Sequence, residues 1–192
     1  MDDIVVQAMA KWPNVPAVYG WLRLDHRGQW WVRQERVNHV ALVDFIGRNY
    51  ACSPNGDYYF QNGPQQVYVA LDIAPWVVRL LDDSQCNDWR THTGQVVKAG
   101  SVVLDEEGSV YLDTPLGLAL VDERDLLAVS TWLCTSQHTV VGEARLLAWL
   151  ASQGESDRLF MRLGGEMLSV DYLSRQALPS RYRFRRNPQP SE

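Results

Sequence analysis

Cysteine is scarce in this 192-residue sequence: Cys52, Cys86 and Cys134 are an odd number, widely separated, with no C-x-x-C spacing. That excludes a disulfide framework and a zinc ribbon, and reduced thiols in a cytoplasmic protein are the expectation. Long apolar runs are missing too. None approaches the roughly 18–20 residues of a membrane span. The opening "MDDIVVQAMAKW" is acidic where a signal peptide is basic, so neither membrane association nor export is expected. No P-loop, G-x-G-x-x-G, G-x-S-x-G or H-E-x-x-H occurs. None of the four histidines pairs with a ligand at helical spacing except His138 with Cys134, a pair that would need a helix running past Thr135. No cofactor, no metal and no catalytic residue is therefore assigned, and an enzyme is the least favoured function class. Positive charge is also short, 18 Lys and Arg against 23 Asp and Glu for a net charge of −5, which argues against nucleic acid as a partner. The imbalance is uneven: residues 156–192 hold seven arginines against four acids, leaving −8 for the rest.

What is present is the composition of a folded domain, 46% hydrophobic and 21% charged, long enough to bury a core. An amphipathic helix is expected from Asp2 to Lys11, stopped by Pro13 and Pro16. Asp25-His26-Arg27-Gly28 reads as a hairpin turn closed by a glycine bulge. If Asp25 faces Gln29, then Leu24, Arg23 and Leu22 face Trp30, Trp31 and Val32. Leu22, Leu24, Trp30 and Val32 become a core face, and Trp21, Arg23, Trp31 and Arg33 an outer lattice of indoles and guanidinium groups. A helix capped by Asn38 with Leu42, Phe45 and Ile46 inward follows, then two strands around Asn62-Gly63-Pro64. Ser84–Asp88 reads as a boundary. Beyond it lie a three-stranded meander, a helix from Asp122 to about Leu133, a second helix near Glu143–Gln153, and a hairpin on Gly164-Gly165.

"LRLDHRGQWWV" (22–32) and "VVLDEEGSVYL" (102–112) share one pattern 80 positions apart, with Tyr111 in the place of Trp31. The elements after them come in matching order. The fold class expected is α+β, with two related halves of antiparallel hairpins and one or two helices, at 1–82 and 86–180, and a disordered tail at 187–192.

"MDDIV", "KWPNVPAVYGWL", "FQNGPQQVYVAL" and "THTG" resemble a family of uncharacterised proteobacterial proteins known only as a domain of unknown function, over about the first 130 residues. The pattern is also similar to a second uncharacterised bacterial family, through Gly28-Gln29-Trp30, the helix near Val40, the paired strands, and Asp72-Ile73-Ala74-Pro75-Trp76. That second resemblance implies a duplicated two-domain fold with a second half loosely like a pleckstrin-homology barrel. It also implies a nucleotide-like ligand between the halves and a signalling role.

Two surfaces stand out as candidate sites. Gln61, Asn62, Gln65 and Gln66 offer a small polar ligand neutral donors and acceptors around a Gly-Pro turn, and Arg90, Thr91, His92 and Thr93 of "RTHTG" could present hydroxyls, backbone amides and a guanidinium to a phosphate. The competing reading of each is an ordinary hairpin or loop. Trp21, Arg23, Trp31 and Arg33, with Arg183 and Arg185 of "RYRFRR", form the second candidate, a protein-interaction or homodimer surface. Its plain alternative is a packed strand or tail with solvated arginines. A non-catalytic ligand-binding or regulatory module is the first expectation; an interaction or assembly module is the second.

Overall fold

The computed structural model describes residues 1–81 and 86–190. The chain forms two compact units. Unit 1 comprises Met1–Pro75, His92–Gly94 and the C-terminal segment from Arg183; unit 2 comprises Trp76–Thr91 and Gln95–Tyr182. The expected boundary at Ser84–Asp88 and the expected tail at 187–192 lie partly outside the described residues.

Unit 1 begins with α1 (Asp3–Lys11), whose buried residue is Val5. The strands are β1 (Val18–Leu24), β2 (Trp30–Val32), β3 (Glu35–Arg36), β4 (Tyr50–Cys52), β5 (Tyr58–Asn62) and β6 (Gln65–Leu71), with α2 (Val40–Arg48) between β3 and β4. They form one sheet in the order β3-β2-β1-β6-β5-β4. Only the central β1–β6 pair is parallel. The β1–β2 register is Leu22↔Val32, Arg23↔Trp31 and Leu24↔Trp30, as the turn residues predict. Leu22, Leu24 and Trp30 are buried, but Val32 is 39% exposed, not core. Helix α2 also departs from expectation. Its cap is His39 without a side-chain hydrogen bond, because Asn38 Oδ1 accepts instead from Arg36 Nε, and Leu42 is 40% exposed.

Unit 2 contains β7 (Trp76–Leu80), β8 (Trp89–Thr91), β9 (Val96–Val97), β10 (Ser101–Leu104), β11 (Val110–Thr114) and β12 (Gly117–Val121). These are followed by α3 (Leu126–Ser130), β13 (Leu133–Thr135), α4 (Glu143–Ala151), β14 (Leu159–Leu163), β15 (Glu166–Tyr172) and α5 (Leu178–Tyr182). The sheet runs β13-β14-β15-β10-β11-β12-β7-β8-β9. Asp122 does cap, but its carboxylate accepts from Arg124 N in a short 3-10 turn; α3 ends at Ser130 and Leu133 is already strand. Cys134 therefore lies on β13 and His138 in a turn at φ +62°, so they share no helix.

Strands β12-β11-β10-β15-β14-β13 repeat the order β3-β2-β1-β6-β5-β4, again with the central pair, β10 and β15, parallel. Even the exits match: Asp72 N donates to Leu24 O in unit 1, and Leu173 N donates to Leu104 O in unit 2. The fold is α+β, built of two curled sheets with mostly antiparallel pairing and few helices, and the two halves answer to one plan.

Candidate functional site

The repeated turn is built in the same way in both units. Oδ1 of Asp25 accepts from the backbone N–H groups of Arg27 and Gln29, and Gly28 at φ +74° closes the turn onto Asp25 O. Asp105 does the same with Glu107 and Ser109, and Gly108 sits at φ +78°. The second carboxylate oxygen then takes the aromatic donor two strand positions beyond: Trp31 Nε1 on Asp25 at 2.8 Å, and the Tyr111 hydroxyl on Asp105 at 2.7 Å. Asp105 is fully buried and also accepts from Arg175, which reaches Glu107 and Ser109 besides. Burial first, then the hydrogen bond to Asp105 and the charge of that carboxylate, pushes the Tyr111 hydroxyl far above the ordinary phenol range. The role of Trp31 in the turn was missed in the sequence. Its signal was there: both turns start with Asp, and both matching aromatics carry a polar hydrogen.

The indole and guanidinium lattice is present. Arg33 lies 3.8 Å from the Trp21 ring and Arg23 lies 5.0 Å from that of Trp31, while Arg23 also pairs with Asp72 at 2.6 Å. Arg183 is not on a strand; it follows α5 at φ +53°, and Arg185 pairs with Asp57 at 3.4 Å. That ion pair and the bond from Arg185 N to Gly56 O hold the C-terminal segment within unit 1.

The candidate ligand residues are divided between the units, Arg90 and Thr91 in unit 2 and the others in unit 1. Arg90 is exposed on β8, and buried Thr91 uses its hydroxyl to accept from Gln95 N. Both belong to unit 2. In unit 1, the His92 ring packs edge-on against Trp30 at 5.2 Å and Tyr50 at 5.7 Å. Thr93 approaches α2 so closely that a Cβ on Gly47 would lie 3.4 Å from its Cα. The amides of "FQNGPQQ" are sorted by the β5–β6 hairpin, whose register pairs Gln61 with Gln66 and Asn62 with Gln65 across a two-residue Gly63-Pro64 turn. Alternation sends the two pairs to opposite faces.

Asn62 and Gln65 open on a pocket of about 350 Å3 between the sheet and α2. Its walls are Val18, Leu22, Val32, Leu42, Ile46, Phe60 and Val67, with Trp21 at the rim. Val32 and Leu42 are exposed because they line this space. Gly20, at φ +72° beside a register shift in the β1–β6 pairing, breaks the strict alternation of β1, which lets Trp21 and Leu22 border the same pocket. Gln65 Nε2 donates to Pro16 O at 3.1 Å, leaving its oxygen as an acceptor. No ionisable side chain is on the wall, so the pocket can hold and orient a molecule but offers no general acid or base.

Gln61 and Gln66 border a separate cleft of about 280 Å3, where "KWPNVP" meets "FQNGPQQ" through Trp12, Pro13, Val15 and Pro64. Among the described residues no group of three or more His, Cys, Asp or Glu side chains could hold a metal ion.

A family model matches residues 1–189. The chain belongs to the DUF2944 family, whose description reads "Protein of unknown function (DUF2946)". The match takes in both units, beyond the first 130 or so residues to which the motifs point. No curated protein matches this DUF2944 chain. Two solved structures are similar to it. A DUF1285 family protein from Silicibacter pomeroyi DSS-3 superposes with a TM-score of 0.54 at 16% identity, covering 81% of this chain and 82% of that one. A DUF1285 family protein from Shewanella baltica OS155 gives 0.44 at 15% identity over 56% of this chain and 87% of that one. The first likeness shows the shared fold.

Proposed function

We propose that this protein is a non-catalytic binding module of the cytoplasm that holds a small, uncharged, largely apolar molecule in the pocket of unit 1. The observation that carries the reading is the wall: apolar side chains on all sides, and the carboxamides of Asn62 and Gln65 as neighbouring polar anchors. Pockets of this size and make-up bind through burial, with a few polar groups setting orientation. With no cation on the wall, a phosphate would lose its hydration without a partner, so a neutral aromatic amide or a nucleoside fits better than a nucleotide. Two exposed cysteines and one buried one, all free, support a reducing compartment. No described helix is long and apolar enough to cross a membrane.

A binding module without chemistry acts through what binding changes, which agrees with a regulatory or signalling role. The alternative of a docking surface rests on the same half-exposed Trp21, stacked under Arg33 at the pocket's rim. Ligand and partner would compete for that ring. The test is resonance mapping with N-methylbenzamide, indole-3-acetamide, adenosine and AMP. Shifts at Asn62, Gln65 and Leu42 with the neutral probes, weaker with AMP, support the reading. Silence with all four overturns it.

A further inference from the structure

The second cleft of unit 1 holds a polar arrangement that the apolar pocket lacks. Gln61 is 1% exposed; its Nε2 donates to Gly63 O at 2.9 Å, and its Oε1 is shut from solvent with no partner. Swapping the amide's oxygen and nitrogen would set two oxygens against each other at Gly63, so the orientation is fixed. A buried amide oxygen left unmatched is costly, and such an atom in a native core calls for an explanation. Directly across the ladder, Gln66 uses its own oxygen to accept from the Tyr68 hydroxyl at 3.3 Å, which leaves its NH2 as the group it can offer. Cross-strand neighbours stand with Cβ atoms about 4.5–5.5 Å apart. An acceptor and a donor are thus placed side by side. Trp12, 51% exposed at the end of α1 with Lys11 over its ring, lines the same cleft.

We infer that this cleft is a second recognition site, for a planar neutral group presenting adjacent N–H and C=O, such as a lactam or a carboxamide. The ligand's N–H completes Gln61 Oε1, its carbonyl accepts from Gln66, and its plane lies against the Trp12 indole. Because Oε1 is covered, a wall side chain must turn aside on entry, and half-exposed Trp12 is placed to do so. The site is independent of the apolar pocket, since Gln61 and Gln66 leave the hairpin on the face opposite Asn62 and Gln65.

The experiment is titration of the full chain with 2-pyridone and with 1-methyl-2-pyridone, which has no N–H, followed through the Trp12 indole and glutamine side-chain resonances. The expected result is saturable shifts at Trp12, Gln61 and Gln66 with 2-pyridone and at least tenfold weaker binding of the methylated probe. Gln61→Met, which keeps the volume and removes the orphan oxygen, should erase that discrimination without lowering the melting temperature. Trp12→Ala, at an exposed position, should weaken both probes. Equal binding of the two probes, shifts confined to Asn62 and Leu42, or discrimination that survives Gln61→Met would each overturn the inference. Failure here leaves the Asn62 pocket standing, and the reverse also holds.

Discussion

Trp31 gives its indole N–H to Oδ2 of Asp25 across 2.8 Å, on a carboxylate whose other oxygen already holds two backbone amides of the turn. The aromatic is therefore a fastener of its hairpin, and Arg23 stacks on a ring that is already fixed. Trp31→Phe keeps the ring and loses the bond. It should cost about 1 kcal/mol, and Tyr111→Phe more, about 1.5–3 kcal/mol, because Asp105 is wholly buried. Urea denaturation of the two variants measures both; a neutral Tyr111→Phe would contradict the assignment.

Arg175 is the cation of the second turn, in contact with Asp105, Glu107 and Ser109. Burial works against its charge, but Tyr111 and Asp105 hold it above its ordinary value. Arg175→Met leaves a buried carboxylate with no cation and should cost about 3–5 kcal/mol. A loss below 1 kcal/mol, read from the same denaturation curves, would mean the pair is not needed.

Alkaline pH should act on two of the eight tyrosines in particular. Burial raises Tyr50 well above its ordinary value, and burial and then Asp105 raise Tyr111. A group raised in the folded state contributes stability below its unfolded value, near 10, that drains away as pH climbs toward the folded one. Absorbance at 295 nm should show these two hydroxyls ionising only together with unfolding above about pH 10. Reversible titration of all tyrosines in the folded protein would refute it.

Gly56 lies at φ +82°, and a Cβ there would sit 2.2 Å from Arg183 O. Gly56→Ala meets both strain and collision, so it should destabilise unit 1 by more than about 1 kcal/mol and free the C-terminal segment. Limited proteolysis near Arg183 reads the release. Protection equal to the parent protein would count against the contact.

The hairpin turns were legible because their causes are local: an Asp acceptor, a glycine at positive φ, and a register that follows from both. The fold class and the matching order of elements were legible for the same reason. The placement of β1 beside β6 was not, since parallel pairing of distant strands leaves no short-range mark. With it went the meeting of "KWPNVP" and "FQNGPQQ" in one cleft. The sorting of four amides onto two faces could have been read from strand alternation, had the turn been placed at Gly63-Pro64. That Val32 and Leu42 border a cavity could not, because both look like core in any pattern of apolar residues. Asp122 misled through its strength as a cap: its carboxylate serves a 3-10 turn and the Arg124 side chain at 2.6 Å, so the helix after it is short.

On the function proposed above, the pocket beside α2 binds a small uncharged molecule. Calorimetric titration with indole-3-acetamide tests it most directly, in the parent protein, in Leu42→Glu at the half-open rim, and in Asn62→Ala. One saturable site with a Kd of about 10–1,000 µM is expected, lost in Leu42→Glu and weakened about tenfold in Asn62→Ala, the equivalent of about 1.4 kcal/mol. Absence of binding in the parent, or binding untouched by Leu42→Glu, would contradict it.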